Sequence, residues 1–424
     1  MHDVKLIREQ IEPLRLAMRR RGKLEALAPQ LDRLEALDVE RRRLIGEVEQ
    51  RKAARNTASQ EVARRKKAKE PADELIVQTR LLGQEIAGLE TELRQAEDEL
   101  ERHVLEIPNV VAADVPEGGE EDGVVLAAWG EPRREANLAP HWEIGERLGL
   151  LDLPRGVKIS GSGFIAYRAK GARLVRALMS WFLDVHTAEH AYEEVWVPFL
   201  VTRQTMTGTG QLPKFEDDMY AVTADALFLI PTAEVPLTNL FRDEILDGAQ
   251  LPIGLTAYTP CFRREAGAAG KDTRGLLRVH QFDKVELVRF CAPADGPAEL
   301  ERLTRHAEVL LERLGLAYRR KLLAAGDTGF ASAKTYDLEV WAPGVGQWLE
   351  VSSCSLFTDF QARRANIRFR EAPKDKPQFV HTLNGSALAF PRTIAALLET
   401  HQRADGSVSI PEPLRPYLGM DRLD

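Results

Sequence analysis

The stretch "FRREAGAAGKDTRGLLRVHQFDKVEL", residues 262–287, gives the strongest indication of the fold. It begins with Phe-Arg-Arg-Glu, continues through a glycine-rich basic segment, and ends in a run of alternating polar and apolar residues. Alternation with a period of two is typical of a β-strand, because successive side chains point to opposite faces. The stretch therefore predicts two strands joined by a loop.

The glycine-rich segment "GAAGKDT" looks like a phosphate-binding loop but does not match one. A P-loop follows the pattern G-x-x-x-x-G-K-[ST]. Counting back from Gly270 and Lys271, Glu265 occupies the first glycine position. Asp272 stands where the motif needs a hydroxyl for Mg²⁺. A coiled-coil P-loop ATPase is therefore disfavoured, and the segment is predicted to be the tip between the two strands.

The predicted strands bring charged and aromatic side chains together. On the first strand Arg263 and Glu265 share a face, opposite Phe262 and Arg264. On the second strand one face carries Arg278, His280, Phe282, Lys284 and Glu286, and the core face carries Val279, Val285 and Leu287. Arginine clamps phosphate or carboxylate oxygens, phenylalanine stacks on a base, and glutamate accepts hydrogen bonds. The pattern favours a nucleotide site over its alternative, a salt-bridged exposed sheet face.

The surrounding sequence predicts more strands than helices. Residues 171–191 form a predicted amphipathic helix whose apolar face carries Leu174, Leu178, Trp181 and Val185. "YEEVWVPFLV", residues 192–201, follows as a strand stopped at Pro198. Further strands are predicted at 255–263, 275–289, 336–341, 347–355 and 365–370. Strands with few helices between them predict an α+β fold, an antiparallel sheet flanked by helices, rather than βαβ units.

The N-terminal quarter predicts a helical hairpin. Residues 2–22 predict a short helical segment that ends at Gly22. From Leu31 to Ile107 apolar residues recur in steps of three and four, which is typical of a coiled-coil seam. Pro71 interrupts this run, so two helices of roughly 50 Å each should fold back as an antiparallel coiled-coil arm. The acidic, Gly- and Pro-rich residues 107–125 are a predicted linker.

Charge is divided between the two predicted helices of the arm. Residues 41–70 carry 11 Lys or Arg and 4 Asp or Glu, whereas residues 71–106 carry 3 and 10. Opposite charges would help the helices to pair. The tip sequence "RRKKAK", residues 64–69, has no acidic helix opposite it and suits contact with a phosphate backbone. A structural coiled coil and a nucleic-acid-binding arm both remain open on charge alone.

Composition limits the class of protein. The 424 residues suffice for one small and one large domain, and the net charge of -7 excludes a generally basic nucleic-acid wrapper. Cys261, Cys291 and Cys354 are isolated, which predicts reduced, buried thiols rather than disulfides or a cysteine-rich zinc site. The N-terminus lacks an apolar signal core, and no apolar run is long enough to cross a bilayer. We expect a soluble cytoplasmic protein with no membrane partner.

Taken in order, the motifs resemble those of the seryl-tRNA synthetase family, of bacterial type, in the class II aminoacyl-tRNA synthetase superfamily. Residues 262–287 resemble class II motif 2 and its loop. "HAYEEVWVPFLV" resembles motif 1, and "LNGSALAFPRTIAALLE" resembles motif 3. "PTAEVPLTN" resembles the serine-site loop and "WLEVSSCS" the ATP and metal strand. The resemblance implies a tRNA-binding domain with the arm at 1–110 and a class II catalytic domain at 111–424.

The resemblance also implies roles for single residues in binding ATP. Arg263 would bridge the ATP α-phosphate and the serine carboxylate, and Arg392 would hold the γ-phosphate, which makes both catalytic. Glu265 would face the adenine amino group, Phe282 would stack on the ring, and the main chain of Val279 would contact the base. The whole implied ATP set is Arg263, Arg264, Glu265, Arg278, Val279, Phe282, Glu350, Val351, Ser352, Ser353 and Arg392.

Arg264 is a departure within that set. It stands where the family often has a small polar residue, and alternation places it on the face opposite Arg263. We therefore expect this position to tolerate substitution.

For serine, the resemblance implies a set made of Thr232, Ala233, Glu234, Arg263, Glu286, Asn384 and Ser386. The carboxylates would take the ammonium and the hydroxyl of serine. Buried acceptors discriminate against alanine, because an analogue without the hydroxyl leaves them unpaired. "TAE" after a proline is also a helix-capping pattern, so Thr232 could serve both purposes. Glu350 and Ser353 would coordinate Mg²⁺ that bridges the phosphates.

The implied function is that of an ATP-dependent serine–tRNA ligase. It would form seryl-adenylate and then charge the 3′ end of tRNA(Ser), and of tRNA(Sec) where present. Motif 1 implies a homodimer with Trp181, Trp196 and Pro198 near the two-fold axis, although a buried monomer core at these residues is the alternative. Two rivals are a ligase that charges a carrier protein or small molecule, and a coiled-coil scaffold with a degenerate enzyme domain. The basic arm argues against the first, and the complete set of Arg263, Glu265, Glu350 and Arg392 against the second.

Overall fold

The computed structural model describes residues 1–9, 11–266 and 274–424. These residues divide into two compact units, Met1–Pro108 and Asn109–Asp424. The segment "GAAGKDT", predicted to be the tip between two strands, lies outside the described residues. Among the helices of the described ranges, none is both long enough and apolar enough to cross a membrane.

The first unit is helical, and its long hairpin confirms the predicted arm. The helices are α1 Val4–Glu9, α2 Ile11–Arg20, α3 Leu24–Ala68 and α4 Asp73–Leu105. At 1.5 Å per residue, the 45 residues of α3 extend for about 68 Å. Helix α3 ends at Ala68 and is capped by Lys69, which has a left-handed backbone, and Pro71 lies in the turn before α4. The base of the hairpin packs on α1 and α2 through buried residues that include Leu14, Leu34, Leu37, Leu100 and Val104.

Opposite charges pair across the hairpin, as the sequence predicts. The ion pairs between α3 and α4 include Arg33–Glu99 at 2.7 Å, Arg41–Glu97 at 2.9 Å, Arg51–Glu85 at 3.2 Å and Lys52–Glu90 at 2.7 Å. Exposed pairs of this kind add little net stability, so they specify the pairing of the helices more than they stabilise it. At the tip, Lys66, Lys67 and Lys69 are exposed.

The second unit combines short helices with a large sheet. Its helices are α5 His141–Arg147, α6 Leu153–Ser160, α7 Lys170–Ala188, α8 Arg203–Thr209, α9 Glu234–Asn239, α10 Gly296–Arg313, α11 Phe360–Ala365, α12 Phe390–Thr400 and α13 Arg415–Leu418. The first strands are β1 Val124–Trp129, β2 Leu151–Asp152, β3 Ala166–Tyr167, β4 Glu193–Glu194, β5 Leu200–Thr202, β6 Ala221–Val222, β7 Leu227–Leu229, β8 Ile245–Asp247 and β9 Ile253–Phe262. The remaining strands are β10 Gln281–Cys291, β11 Tyr318–Leu322, β12 Lys334–Ala342, β13 Gln347–Thr358, β14 Arg368–Arg370, β15 Gln378–Phe379, β16 His381–Ala389, β17 Val408–Ser409 and β18 Arg422–Leu423.

Eight of these strands form the main sheet, in the order β1-β11-β12-β13-β16-β10-β9-β4. Every neighbouring pair is antiparallel except β4 and β9, which are parallel at one edge. Helices α7, α10 and α12 pack on the sheet through the main core. The predicted apolar face of α7 is buried, including Leu174, Leu178, Trp181 and Val185. The predicted α+β class with an antiparallel sheet is therefore confirmed.

Three strand predictions were wrong in their extent. The strand predicted at 275–289 begins only at Gln281, because the backbone before it bonds elsewhere: the His280 N–H donates to the Gly163 carbonyl at 2.9 Å. The predicted strand 365–370 is shortened to β14, since α11 runs to Ala365. The segment 192–201 divides into β4 and the start of β5 around Pro198, which has no N–H to donate to a ladder.

Candidate active site

The hairpin of β9 and β10 forms the floor of the site. The two strands pair from Ile253 to Phe262 on β9 and from Gln281 to Phe290 on β10. Phe282, Lys284 and Glu286 all line the cavities above this floor, as alternation predicts. Val285 and Leu287 point the other way into the core and are fully buried. One face of β10 therefore lines the cavities, and the opposite face packs in the core.

Two cavities meet above the floor. The outer cavity is lined by residues that include Arg263, Glu265, Arg278, Val279, Phe282 and Arg392. The inner cavity is lined by residues that include Thr232, Glu234, Glu286, Ser353, Asn384 and Ser386. Arg263, Lys284, Glu350 and Ser386 line both. The structure thus brings most of the implied ATP residues to one cavity and most of the implied serine residues to the other.

Arg263 lies at the junction of the cavities and is held from two sides. Its guanidinium carbon is 5.1 Å from the ring centroid of Phe282, a cation–π contact. Its Nε donates to the Pro231 carbonyl at 3.3 Å. The residue follows directly after β9, so the rigid strand fixes its backbone. A guanidinium placed here can reach anionic groups in both cavities at once.

The far wall of the outer cavity is the segment before β10. There Arg278 forms an ion pair with Glu265. Arg392, in the first turn of α12, donates from Nε to the Leu277 carbonyl at 3.1 Å and from Nη1 to the Glu350 carbonyl at 2.8 Å. The start of α12 therefore ties this wall to β13. Because this segment is bonded to α12 in this way, residues 275–280 do not form part of the strand that was predicted there.

A buried histidine supports the same wall. His141 Nε2 accepts from the Leu276 N–H at 2.9 Å, while its Nδ1 lies 2.7 Å from a Glu399 oxygen. Because Nε2 accepts a hydrogen bond, the ring proton lies on Nδ1, and the Nδ1–H group donates a hydrogen bond to the Glu399 carboxylate. Neither His141 nor Glu399 was predicted to support the site. They lie far from motif 2 in the sequence, and nothing in their local pattern indicates the contact.

The inner cavity holds a cluster of charges. Lys284 pairs with Glu286 and donates to the Thr232 hydroxyl at 3.1 Å. The Thr232 hydroxyl also accepts from the Glu234 N–H at 3.2 Å, at the start of α9. Thr232 therefore contacts the first residue of α9 and also lines the cavity, while its role in binding serine stays a prediction. Lys284 lies on the face that the alternation predicts, although no role was predicted for it.

Glu234 is another carboxylate of the inner cavity and is buried. Burial and the nearby Glu286 carboxylate raise the pKa of Glu234 to about 7, although Gln361, Lys284 and Arg263 oppose the rise. Gln361 donates from Nε2 to Glu234 Oε1 at 2.6 Å. Gln361 was not predicted as a site residue.

An acidic recess adjoins both cavities. It is lined by residues that include Asp327, Asp337, Glu339, Glu350 and Ser353. Asp337 is half-buried, and its enclosed Oδ1 has no hydrogen-bond partner in the described structure. Burial and the Glu350 carboxylate hold the pKa of Asp337 well above its usual range. Such a recess favours a cation, because a positive ion would relieve the repulsion between the carboxylates.

Three implied residues lie outside the cavities. Arg264 is exposed, and its N–H donates to the Asp218 carbonyl at 3.0 Å. Ser352 is buried and its hydroxyl donates to the Ser386 carbonyl at 2.6 Å. Ala233 is fully buried. Their side chains line neither cavity, whereas Val351 lines the outer one.

The fold and site define a class II aminoacyl-tRNA synthetase: an antiparallel sheet carries one arginine after β9, and a helix that follows β16 carries the other. Two family models match, tRNA synthetase class II core domain (G, H, P, S and T) over residues 214–401 and seryl-tRNA synthetase N-terminal domain over residues 1–111. The chain belongs to the seryl-tRNA synthetase family, which confirms the resemblance.

Similar proteins cover the chain from end to end. A serine–tRNA ligase of Gemmatimonas aurantiaca is 63% identical over 99% of both chains, and one of Carboxydothermus hydrogenoformans is 53% identical over 100% of this chain and 99% of that protein. The crystal structure of seryl-tRNA synthetase from Pyrococcus horikoshii complexed with ATP superposes with a TM-score of 0.94 at 38% identity, covering 100% of this chain and 99% of that one.

Proposed function

We propose that the chain activates L-serine with ATP and transfers the serine to tRNA(Ser), and to tRNA(Sec) where present. The observation that carries this proposal is the position of Arg263, which lines both cavities. ATP in the outer cavity and serine in the inner one would meet at this guanidinium. The family relationship supports the same assignment, because the similar proteins are serine–tRNA ligases.

In the first step a serine carboxylate oxygen attacks the α-phosphorus, and pyrophosphate leaves. Negative charge spreads over the phosphoryl oxygens during this displacement, so a fixed cation beside them lowers the barrier. Arg263 provides that cation without reorganising, because Phe282 and the Pro231 carbonyl hold it. Arg392 holds the outgoing phosphates. In the second step a ribose hydroxyl of the tRNA attacks the adenylate carbonyl carbon, and AMP leaves.

Selection of serine rests on the polar lining of the inner cavity. Glu234 and Glu286 are acceptors for the ammonium and the hydroxyl, and Asn384 and Ser386 add further polar groups. Alanine would leave these acceptors without a partner in a buried site, which costs more than the methyl contact supplies. Threonine would have to place an extra methyl in the same space.

Mg²⁺ fits the acidic recess. Glu350 and Ser353 would hold the ion, and Glu350 lines the recess and both cavities. In the described residues no group of three or more His, Cys, Asp and Glu could hold a metal alone. This suits Mg²⁺, which is bound through few protein oxygens and mainly through substrate phosphates and water. When bound, the ion would neutralise phosphate charge, while the chain's own residues orient the nucleotide.

Glu350→Gln tests this assignment. The substitution keeps the shape of the side chain but removes its charge. We therefore expect the Mg²⁺ concentration that gives half-maximal serine-dependent ATP–pyrophosphate exchange to rise by about tenfold or more. Mn²⁺ binding in the presence of a non-hydrolysable ATP analogue, followed by electron paramagnetic resonance, should weaken in parallel. Unchanged Mn²⁺ affinity would contradict the role of Glu350.

The arm and the cellular location complete the proposal. The exposed lysines at the arm tip suit contact with the tRNA backbone, and we assign tRNA binding to residues 1–110 and catalysis to residues 111–424. We place the protein in the cytoplasm, where the tRNA substrate is found.

We further propose a homodimer. Trp196, Pro198 and Leu200 alternate along the segment 192–201 and are exposed, with Trp196 71% exposed, whereas Val197 between them is buried. Trp181, in contrast, fills the chain's own core. An exposed apolar face of this kind marks an interface.

Light scattering of the purified chain should give twice the mass of one chain. Trp196→Asp should shift the population toward the monomer, because it places a charge in the interface. A single species at the monomer mass for the unmodified chain would refute the dimer.

Aminoacylation with a panel of amino acids tests the whole function. With purified tRNA(Ser), we expect serine to be attached and alanine, threonine and cysteine to be attached at least about 100-fold less efficiently. A ligase for a carrier protein or small molecule would activate serine without charging tRNA. Efficient charging with another amino acid, or activation without tRNA charging, would contradict the proposed function.

A further inference from the structure

A chain of three buried polar side chains ends at Glu234. The Thr382 hydroxyl on β16 donates to Gln361 Oε1 at 2.7 Å, and Gln361 Nε2 on α11 donates to Glu234 Oε1 at 2.6 Å. Thr382 and Gln361 are at most 1% exposed, and Glu234 is 7% exposed. Neither Thr382 nor Gln361 lines the inner cavity, so neither is placed to touch serine.

The surroundings favour one orientation of the Gln361 amide. Its nitrogen also donates to the Thr209 carbonyl at 3.2 Å, a group that can only accept, so it faces two oxygens. If the amide were flipped, its oxygen would face the Glu234 carboxylate and the Thr209 carbonyl. The Thr382 hydroxyl donates to the amide oxygen of Gln361 and so stabilises the observed orientation. Three elements, α9, α11 and β16, are thus coupled through one side chain.

We propose that Gln361 is a positioning residue for the serine site: oriented by Thr382, it donates to Glu234, favours the ionised form of that carboxylate and directs it toward the inner cavity. The inference rests on the proposed function, since it concerns how the same site recognises serine. It adds a residue outside the substrate cavity to the specificity machinery. The bond is charge-assisted and buried, which is the setting in which a hydrogen bond contributes most.

Gln361→Met tests the donor. Methionine has a similar length but no hydrogen-bond donor, so the Glu234 carboxylate would lose the hydrogen bond that it accepts from the neutral Gln361 amide. We expect the KM for serine in pyrophosphate exchange to rise by about 10- to 100-fold, with the KM for ATP changed by less than about threefold. A general structural defect would raise both KM values together and lower the melting temperature, and that outcome would overturn the proposal.

Thr382→Val tests the orientation of the amide from a second position. Valine keeps the shape but removes the hydroxyl, and we expect the KM for serine to rise by about tenfold. Because Thr382 acts only through Gln361, the double variant should be no worse than Gln361→Met alone. Thr304→Val is the matched control: its hydroxyl is also buried, and it donates to the Leu300 carbonyl at 2.8 Å within α10. Effects of Thr382 and Gln361 that simply multiply would contradict the coupling.

The pH dependence gives a readout that packing alone would not move. The charged groups facing Glu234 are Glu286 and Lys284 from β10 and Arg263 after β9, and burial with Glu286 raises the pKa of Glu234 to about 7. Serine binding needs the carboxylate, so kcat/KM for serine should rise with pH through this pKa. Loss of the Gln361 donor removes stabilisation of the ionised form and should move the acid limb to higher pH.

The failures of the two proposals are distinguishable. An absence of serine-dependent exchange in the unmodified chain would refute the proposed function, and the inference with it. Normal exchange in the unmodified chain, with an unshifted acid limb and an unchanged KM for serine in Gln361→Met, would overturn the inference alone. Should Gln361→Met not fold, Thr382→Val measured against Thr304→Val decides the question: equal KM values for serine in these two variants would overturn the inference.

Discussion

Replacement of Arg263 by alanine should lower serine-dependent ATP–pyrophosphate exchange by about 1,000-fold or more. Loss of one fixed donor to a developing anion costs about 100- to 1,000-fold in rate. Arg263 lines both cavities and in the proposed function would contact both the phosphate and the serine carboxylate, so we expect the upper end of that range. The loss should appear in kcat, because the interaction strengthens as charge develops.

Two further variants sharpen this test. Arg263→Lys keeps the charge but not the planar fork, so we expect activity between that of the unmodified chain and that of the alanine variant. Arg264→Ala is the neighbouring comparison: its side chain is exposed and lies outside both cavities, so we expect a change below about threefold. Near-normal exchange by Arg263→Ala, or equal losses at positions 263 and 264, would refute the assigned role.

Removal of the arm should separate the two half-reactions. Arg41 and Glu97 face each other across the hairpin at 2.9 Å, so residues 42–96 can be replaced by a short glycine–serine turn. The buried base, including Leu34, Leu37, Leu100 and Val104, is retained. We expect exchange within about threefold of normal and tRNA charging reduced by about 100-fold or more, because the lost phosphate contacts supply much of the binding.

A charge variant controls for damage to the fold. Lys66, Lys67 and Lys69 changed together to glutamine leave the arm in place, and they should weaken charging while reducing its dependence on salt. Equal losses of exchange and charging on removal of residues 42–96 would show that the arm is structural.

The elements that sequence could predict are those with a strong local period. The alternation in β10 placed Phe282, Lys284 and Glu286 on the site face, because one face of that strand packs on the core. The steps of three and four along the arm predicted α3 and α4, since a long pair of helices buries only a narrow stripe. In both cases the local pattern is also the packing pattern.

The residues that sequence could not predict act through tertiary contacts. His141 reaches Leu276, and Gln361 reaches Glu234, across more than 120 positions in the chain. Their burial and their partners depend on how α5, α11 and β16 pack. The periodicity of the sequence does not indicate this packing. The environment of Asp337 could not be predicted either. A single carboxylate in a strand sequence does not indicate that one of its oxygens will be buried without a hydrogen-bond partner. The late start of β10 at Gln281, rather than at residue 275 as predicted, likewise follows from bonds to Gly163, His141 and Arg392.

Serine-dependent ATP–pyrophosphate exchange by the full chain is the sharpest test of a single site that joins an ATP cavity to a serine cavity at Arg263. The measurement uses labelled pyrophosphate with no tRNA present and compares serine, alanine, threonine and no amino acid. We expect exchange that requires serine and Mg²⁺ and is lost in Arg263→Ala. Exchange without serine, equal exchange with alanine, or no exchange at all would contradict a joined site of this kind.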